Sequence, residues 1–279
     1  MAISIKKVSP EIQLQVIEAY KNNVSLREIE KQFGVTRATV GPFLEELGVK
    51  TVKGNHYKKY KHDENFFENI DSEEKAYWLG FMFADGYIIN KQNATGEDGF
   101  GLSLAEDSQD SIEKFKNSLH ATNPILIDDS GVKKNKQILY KITMRSQKTV
   151  DDLIDKGCFK QKTLILQPPK KVPENLNYHF IRGFFDGDGS LTRHQHKNSV
   201  YIDFGINFTT TYDMALWLQN QFNYGSIWKE NRREHTWYYG FGGNQQVINF
   251  YHLLYDNATI WMDRKYERFQ ELLQKYSEN

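Results

Sequence analysis

Two apolar runs stand out from an otherwise polar chain. Residues 77–88 read YWLGFMFADGYI and residues 180–191 read FIRGFFDGDGSL. Each carries two small residues four apart, Gly80 with Ala84 and Gly183 with Gly187. On a helix such residues share one face. Glycine inside a helix costs about 0.5–1 kcal/mol relative to alanine, so the pattern predicts a close helix–helix approach of the small-xxx-small kind. Each run ends in Asp-Gly, at Asp85-Gly86 and Asp188-Gly189. Both glycines are predicted to close their helices as left-handed caps. Asp71-Ser-Glu-Glu precedes the first run and reads as its N-terminal cap.

The pattern after Asp85 predicts strand, strand, helix, strand, strand, helix. The strands fall near residues 87–91, 100–105, 124–129 and 137–144, the last two around GVKKNK. The helices fall at 108–119, with Ile112, Phe115 and Leu119 apolar, and at 149–157. The Pro-rich stretch LQPPKKVPENLN connects to the second run. An offset of 103 relates Asp85 to Asp188, Asp110 to Asp213, Leu119 to Phe222 and Lys162 to Lys265. A repeat of about 100 residues is too long for a solenoid unit. It predicts a pseudo-dimer of two αββαββα halves with the two apolar helices on the pseudo-twofold axis. Residues 260–276 read as an amphipathic packing helix.

The first fifty residues predict three helices: Pro10 to Tyr20, then SLREIEKQF opened by a Ser25–Glu28 capping box, then a helix capped by Thr36 after the Gly34 turn. Helix, Gly-containing turn, helix is the helix-turn-helix pattern, and SLREIEKQFGVTRATV resembles resolvase-like members of that class. The resemblance would put Arg37, Ala38, Thr39 and Thr36 in a major groove. A small trihelical docking module is the other reading. Pro42 is expected to kink or shorten the third helix. Residues 48–62, GVKTVKGNHYKKYKH, hold five Lys and no acid. They read as a linker, either solvated and flexible or following a DNA backbone through Lys53, Lys58 and Lys59. The expected organisation is α+β: 1–50 a helix-turn-helix domain, 51–62 a basic linker, 63–168 the first half and 169–279 the second.

Net charge adds nothing toward a nucleic-acid partner, since 36 Lys and Arg balance 36 Asp and Glu. DNA binding would have to rest on local charge. Cys158 is the single cysteine, which excludes an intrachain disulfide and a Cys-based zinc cluster. With no apolar h-region after MAISIKK, it fits a reducing cytoplasm. No apolar run approaches the roughly 18 residues of a bilayer span.

Asp85 and Asp188 carry the candidate chemistry. A helix C-terminus holds about half a negative charge and favours cations. Two such ends side by side would gather two carboxylates and free carbonyls, those of Ala84 and Gly187 among them. Hard oxygen ligands with excess negative charge call for Mg²⁺, which would serve phosphodiester cleavage. The plainer reading of each Asp-Gly is a turn after a core helix; two copies in matched surroundings favour the metal.

Trp78–Gly86 (WLGFMFADG) and Ile181–Gly189 (IRGFFDGDG) resemble the nine-residue motif of the LAGLIDADG homing endonucleases. The resemblance runs from about Asp71 to the C-terminus. The family's metal-binding acid, at the eighth position, falls on Asp85 and Asp188. The sixth position, often Asp, is Phe83 in the first copy and Asp186 in the second. Lys162 and Lys265 fall where the family carries a basic residue near the scissile phosphates, though ordinary surface lysines would look the same. The resemblance implies two saddle-shaped sheets straddling DNA and a monomeric, Mg²⁺-dependent, site-specific double-strand endonuclease. Basic hairpin tips and flanks agree with it: Lys133, Lys134, Arg193, His194, Lys197, Lys229, Arg232 and Arg233. Alternate ribbon residues such as Tyr201, Asp203, Gly205 and Asn207 would meet bases or phosphates. Both strand faces are mixed, so the alternation does not choose which face meets DNA. A regulator of this fold without cleavage, and an RNA maturase, remain as alternatives. The paired acids weigh against the regulator, and the chain ends offer nothing for intein splicing.

Overall fold

The computed structural model describes residues 2–22, 24–49, 59–91, 96–130, 137–160, 162, 165–195 and 202–277. The chain divides into two compact units, residues 1–61 and 62–279. Among the described residues, no helix is long and apolar enough to cross a membrane.

The first unit is trihelical. Helix α1 (Pro10–Lys21) starts behind Ser9, with proline in its first turn. Helix α2 (Leu26–Phe33) carries the complete Ser25–Glu28 capping box and stops at Gly34, whose φ of 65° is left-handed. Helix α3 (Arg37–Glu46) contains Pro42 without ending there, and Thr36 stands at its N-cap position without a side-chain capping bond. Ile5, Val16, Ile29, Val35, Val40 and Leu44 form the core.

The second unit repeats one topology. The first half runs α4 (Glu73–Ala84), β1 (Gly86–Ile89), β2 (Gly99–Ala105), α5 (Gln109–Ser118), β3 (Leu126–Asp128), β4 (Leu139–Arg145) and α6 (Gln147–Asp155). The second runs α7 (Asn177–Asp188), β5 (Gly189–Gln195), β6 (Ile202–Thr210), α8 (Tyr212–Phe222), β7 (Ser226–Lys229), β8 (Trp237–Gly242) and α9 (Asn244–Tyr255), with α10 (Asp263–Ser277) after it. Both sheets are antiparallel, ordered β1-β2-β4-β3 and β5-β6-β8-β7. The fold is thus the α+β pair of αββαββα halves that the 103-residue offset predicts.

Helices α4 and α7 form the spine. Ser72 caps α4 and accepts from the Lys75 N–H at 3.4 Å, while Glu73 and Glu74 in the first turn suit the positive end of the helix. Every residue from Ala76 to Phe83 is buried, which marks a central helix and not a surface one. A Cβ on Gly80 would overlap the Phe180 carbonyl oxygen and lie 2.8 Å from Phe184 N; one on Gly183 would overlap the Tyr77 carbonyl oxygen and lie 2.9 Å from Phe81 N. The backbones therefore touch at the two glycines. The predicted left-handed caps are not formed. Gly189 has φ −73°, and Gly86 is not among the residues with positive φ. Each helix passes directly into a strand, and the glycine is needed for room: a Cβ on Gly86 would lie 2.7 Å from Met82 Cα, and one on Gly189 2.7 Å from the Phe185 oxygen. Likewise α10 begins at Asp263 and not at residue 260, because Ile260 and Met262 are bonded to α7.

Candidate active site

Asp85 caps α4 and Asp188 ends α7. The two ends lie against each other. A Cβ on Gly187 would overlap that of Ala84 and sit 3.3 Å from Asp85 Oδ2, so the Asp85 carboxylate reaches over the end of the opposing helix. The electrostatic oddity of carboxylates at negative helix ends is met by two lysines in matching places. Lys162 Nζ donates to the Gly86 carbonyl. Lys265 Nζ donates to Gly189 O at 2.6 Å, to Gly187 O at 3.3 Å and to Phe185 O.

Protein packed around the site raises the pKa of Asp85 against the pull of Lys265 and Lys162. Asp188 is pushed up to about 6, first by desolvation and then by the Asp85 charge, with Lys162 and Lys265 opposing. Asp85 is half-buried and Asp188 opens to solvent, so solvent screens part of this crowding. Lys265 is buried, 4% exposed, and desolvation lowers its pKa to about 8 against Asp186, Asp85 and Asp188. Lys162 is half-buried.

The donor set suits a divalent cation. Two carboxylates that resist ionising together gain from a shared positive charge, and Mg²⁺ is ordinarily held by one or two carboxylates with waters and substrate phosphates. Among the described residues no three His, Cys, Asp or Glu side chains gather at one point, so no all-protein cage competes with that arrangement. The Gly187 carbonyl, an expected ligand, already receives Lys265.

Sequence reading misses the buried polar groups behind the site. Asp186 is wholly buried and accepts from Tyr77 Oη at 2.9 Å, Tyr255 Oη at 2.7 Å and the Met262 N–H at 2.9 Å. Burial raises its pKa, with Lys265 and these donors opposing. Two signals single out Asp186 itself, the sixth position of the motif and the 103-residue offset that aligns Phe83 with Asp186 and Tyr77 with Phe180, but neither points to its partners Tyr255 and Met262.

The second sheet settles the strand parity. Phe204, Ile206 and Phe208 point into the core, so Asp203, Gly205 and Asn207 lie on the open face. His194 pairs with Asp203 and shares it, whereas Arg193 pairs with Phe204 and stands on the opposite face. Lys229, expected beside DNA, also has the core-side parity, and its ammonium lies 6.0 Å from the Trp237 ring centre. Arg232 and Arg233 are exposed in the β7–β8 turn. On the open face Trp228 stacks on Tyr238 with centroids 5.6 Å apart. The cross-strand row next to the acids is Ser190–Asn207–Gly240 here and Tyr87–Gly101–Thr143 in the first sheet. Tyr87 Oη and Thr143 Oγ1 are 2.6 Å apart.

In the first unit, Arg37 is exposed and paired with Glu30 at 2.8 Å. Thr39 is turned inward: its hydroxyl accepts from the Ile5 N–H at 3.1 Å and donates to Thr36 O at 3.0 Å. Lys59 Nζ lies 5.1 Å from the Tyr60 ring centre. Lys53, Lys58, Lys133, Lys134, Lys197 and Tyr201 lie outside the described residues.

No protein-family model and no curated protein matches the chain in sequence. Solved structures do match in fold. The I-LtrWI LAGLIDADG homing endonuclease bound to target DNA has a TM-score of 0.53 at 12% identity, over 76% of this chain and 92% of that one. The LAGLIDADG meganuclease I-AabMI bound to uncleaved DNA has a TM-score of 0.50 at 14% identity, over 71% of this chain and 88% of that one. At such identity the likeness is one of architecture: the chain has the two-motif LAGLIDADG fold, two αββαββα halves joined on their motif helices.

Proposed function

We propose that this protein is a sequence-specific, double-strand DNA endonuclease of the homing type, acting as a monomer on a long asymmetric site. One observation carries the reading: two acids at apposed helix ends, each end closed by a lysine, lie next to the first strands of two four-stranded antiparallel sheets. Asp85 and Asp188 would hold Mg²⁺, with the Ala84 and Gly187 carbonyls beside them. Bound there, the metal would supply charge stabilisation and an activated water for phosphodiester hydrolysis. Lys162, half-buried, would meet a phosphate and stabilise its developing charge. Lys265 is a positioning residue, because a lysine has three N–H donors and three helix-end carbonyls receive them. His194, Asp203 and Asn207 belong to the open face that would meet base edges and phosphates. A single chain carries both motif helices, which supports action as a monomer.

The trihelical unit is a second DNA reader on this reading, with Arg37 its exposed base or phosphate contact and Lys53, Lys58 and Lys59 following the backbone.

The deciding experiment selects cleaved sites from a randomised DNA library with Mg²⁺ and sequences the ends. A defined site with short 3′ overhangs is expected; a library left intact by the full chain would overturn the reading. On the selected site, residues 62–279 alone should still cut, with a footprint shortened on one side and a flatter salt dependence, by about 0.9 log units per lost phosphate contact. Identical footprints and slopes would make the trihelical unit a docking module.

A further inference from the structure

Among the places where the pseudo-twofold relation breaks, one lies between the motif helices beside the acids. The offset of 103 relates Tyr77 to Phe180 and Phe83 to Asp186. On one side the contact is apolar: Phe83 packs edge-on against Phe180, with ring centroids 5.0 Å apart. On the other it is polar: Tyr77 donates to the buried Asp186 at 2.9 Å. A buried carboxylate persists only where donors replace its water, and Asp186 finds the rest on the C-terminal segment, at Tyr255 Oη and the Met262 N–H.

One turn earlier on α7, the wholly buried Arg182 grips the same segment. It donates to Leu254 O at 2.6 Å and Ile260 O at 3.0 Å, and pairs with Glu73 of α4 at 2.6 Å. Residues 254–262 are therefore strapped to α7 by two buried ionic groups, each also tied to α4. Lys265 follows three residues after Met262, in the first turn of α10. Its ammonium lies at the end of α7, on the carbonyls of Phe185, Gly187 and Gly189. Among the described residues the first half shows no such device: the offset puts Leu79 where Arg182 stands and Phe83 where Asp186 stands.

We propose that Asp186, with Tyr77 and Tyr255, is a positioning group for Lys265, so that the cleavage centre served by Lys265 depends on a buried polar latch and the one served by Lys162 does not. The strand-cleavage consequence rests on the nuclease reading above; the seating of Lys265 does not.

Two readouts on full-length protein test it, in Tyr255→Phe and Asp186→Asn. The first is amine acetylation followed by mass spectrometry. Lys265 labelling should rise at least about tenfold over the unsubstituted chain while Lys162 stays within about twofold, as loss of one buried hydrogen bond loosens the strap. The second is plasmid cleavage with each strand labelled. One strand should slow by about tenfold or more, a cost within the range for a buried hydrogen bond to a charged group. The other should stay within about twofold, so that nicked circles accumulate. The slowed strand should be the one that Lys265→Met spares least. Unchanged Lys265 labelling, equal slowing of both strands, or slowing of the strand that Lys162→Met affects would each overturn the proposal. If Asp186→Asn does not fold, Tyr255→Phe, which removes one hydroxyl, decides alone. If the unsubstituted chain cuts no DNA, the nuclease reading fails and the labelling result alone judges the latch.

Discussion

The two halves of the second unit agree at the helix crossing and at the lysine that closes each motif helix, and they diverge in the side-chain packing behind that frame. Gly80 and Gly183 each admit the partner helix, and Lys162 and Lys265 each bond the glycine carbonyl that follows its own motif acid. Behind that frame, Phe83 faces Phe180 in one half while Asp186 faces Tyr77 in the other. The sheets differ too. Next to the acids, Tyr87 covers Gly101 and engages Thr143, whereas Asn207 lies beside Gly240 and Trp228. A helix crossing at van der Waals distance tolerates no Cβ on either side, so its glycines cannot drift apart. A side-chain contact of similar volume can exchange a phenylalanine pair for a tyrosine–carboxylate pair, provided that further donors satisfy the buried charge.

The largest effects should fall on what the halves share. Asp85→Asn and Asp188→Asn should each reduce double-strand cleavage by about a thousandfold or more, a loss of several kcal/mol. DNA binding by band shift should persist. Full linearisation of the plasmid in Mg²⁺ by either variant would remove the acids from the chemistry. Gly80→Leu and Gly183→Leu should each lower stability by about 1–3 kcal/mol or more through overpacking, read as similar drops in Tm. A drop for one and not the other would mean that the crossing is less symmetric than its backbone.

Smaller effects should separate the halves. Asn207→Ala should relax base preference at one position of the site by about 1–3 kcal/mol, the value of a bidentate base contact. Tyr87→Phe should leave base preference nearly unchanged, since that hydroxyl is engaged inside the protein. Cleavage rates over all single-base variants of the selected site would measure both, and equal relaxation would erase the difference between the sheets. The smallest effect concerns pH without metal. Asp188 has its carboxyl raised to about 6 from 3.8, so the folded state holds that proton more tightly than the unfolded chain. Stability is therefore lost as pH rises from about 4 through about 6. Asp188→Asn should be the more stable protein above pH 6 and equal to the unsubstituted chain below about pH 4. Because Asp188 opens to solvent, the difference should stay within about 1 kcal/mol. Thermal melts across that range would show it; a variant less stable than the unsubstituted chain at pH 8 would contradict the sign.

Much of the fold is legible in the amino-acid sequence alone. The apolar runs, the small residues four apart, the Ser72 cap and the 103-residue offset yield the spine, the duplicated topology and the two acids. Each depends on near neighbours in sequence or on a period that the backbone imposes. The left-handed caps fail as expectations because a glycine after a helix serves a tight turn and a close approach alike, and only the packing of Gly86 on Met82 and of Gly189 on Phe185 tells them apart. The sequence also does not show that the Thr39 hydroxyl accepts from the Ile5 N–H, 34 residues away. Along β6 the sequence itself alternates Phe204, Ile206 and Phe208 with Asp203, Gly205 and Asn207, and the burial of the three apolar residues fixes which of the two sides is the open face. The latch has no local pattern at all. Residues 77, 186, 255 and 262 become neighbours only when α4, α7, α9 and the start of α10 pack together, and a carboxylate becomes a buried one only when that packing has removed its water.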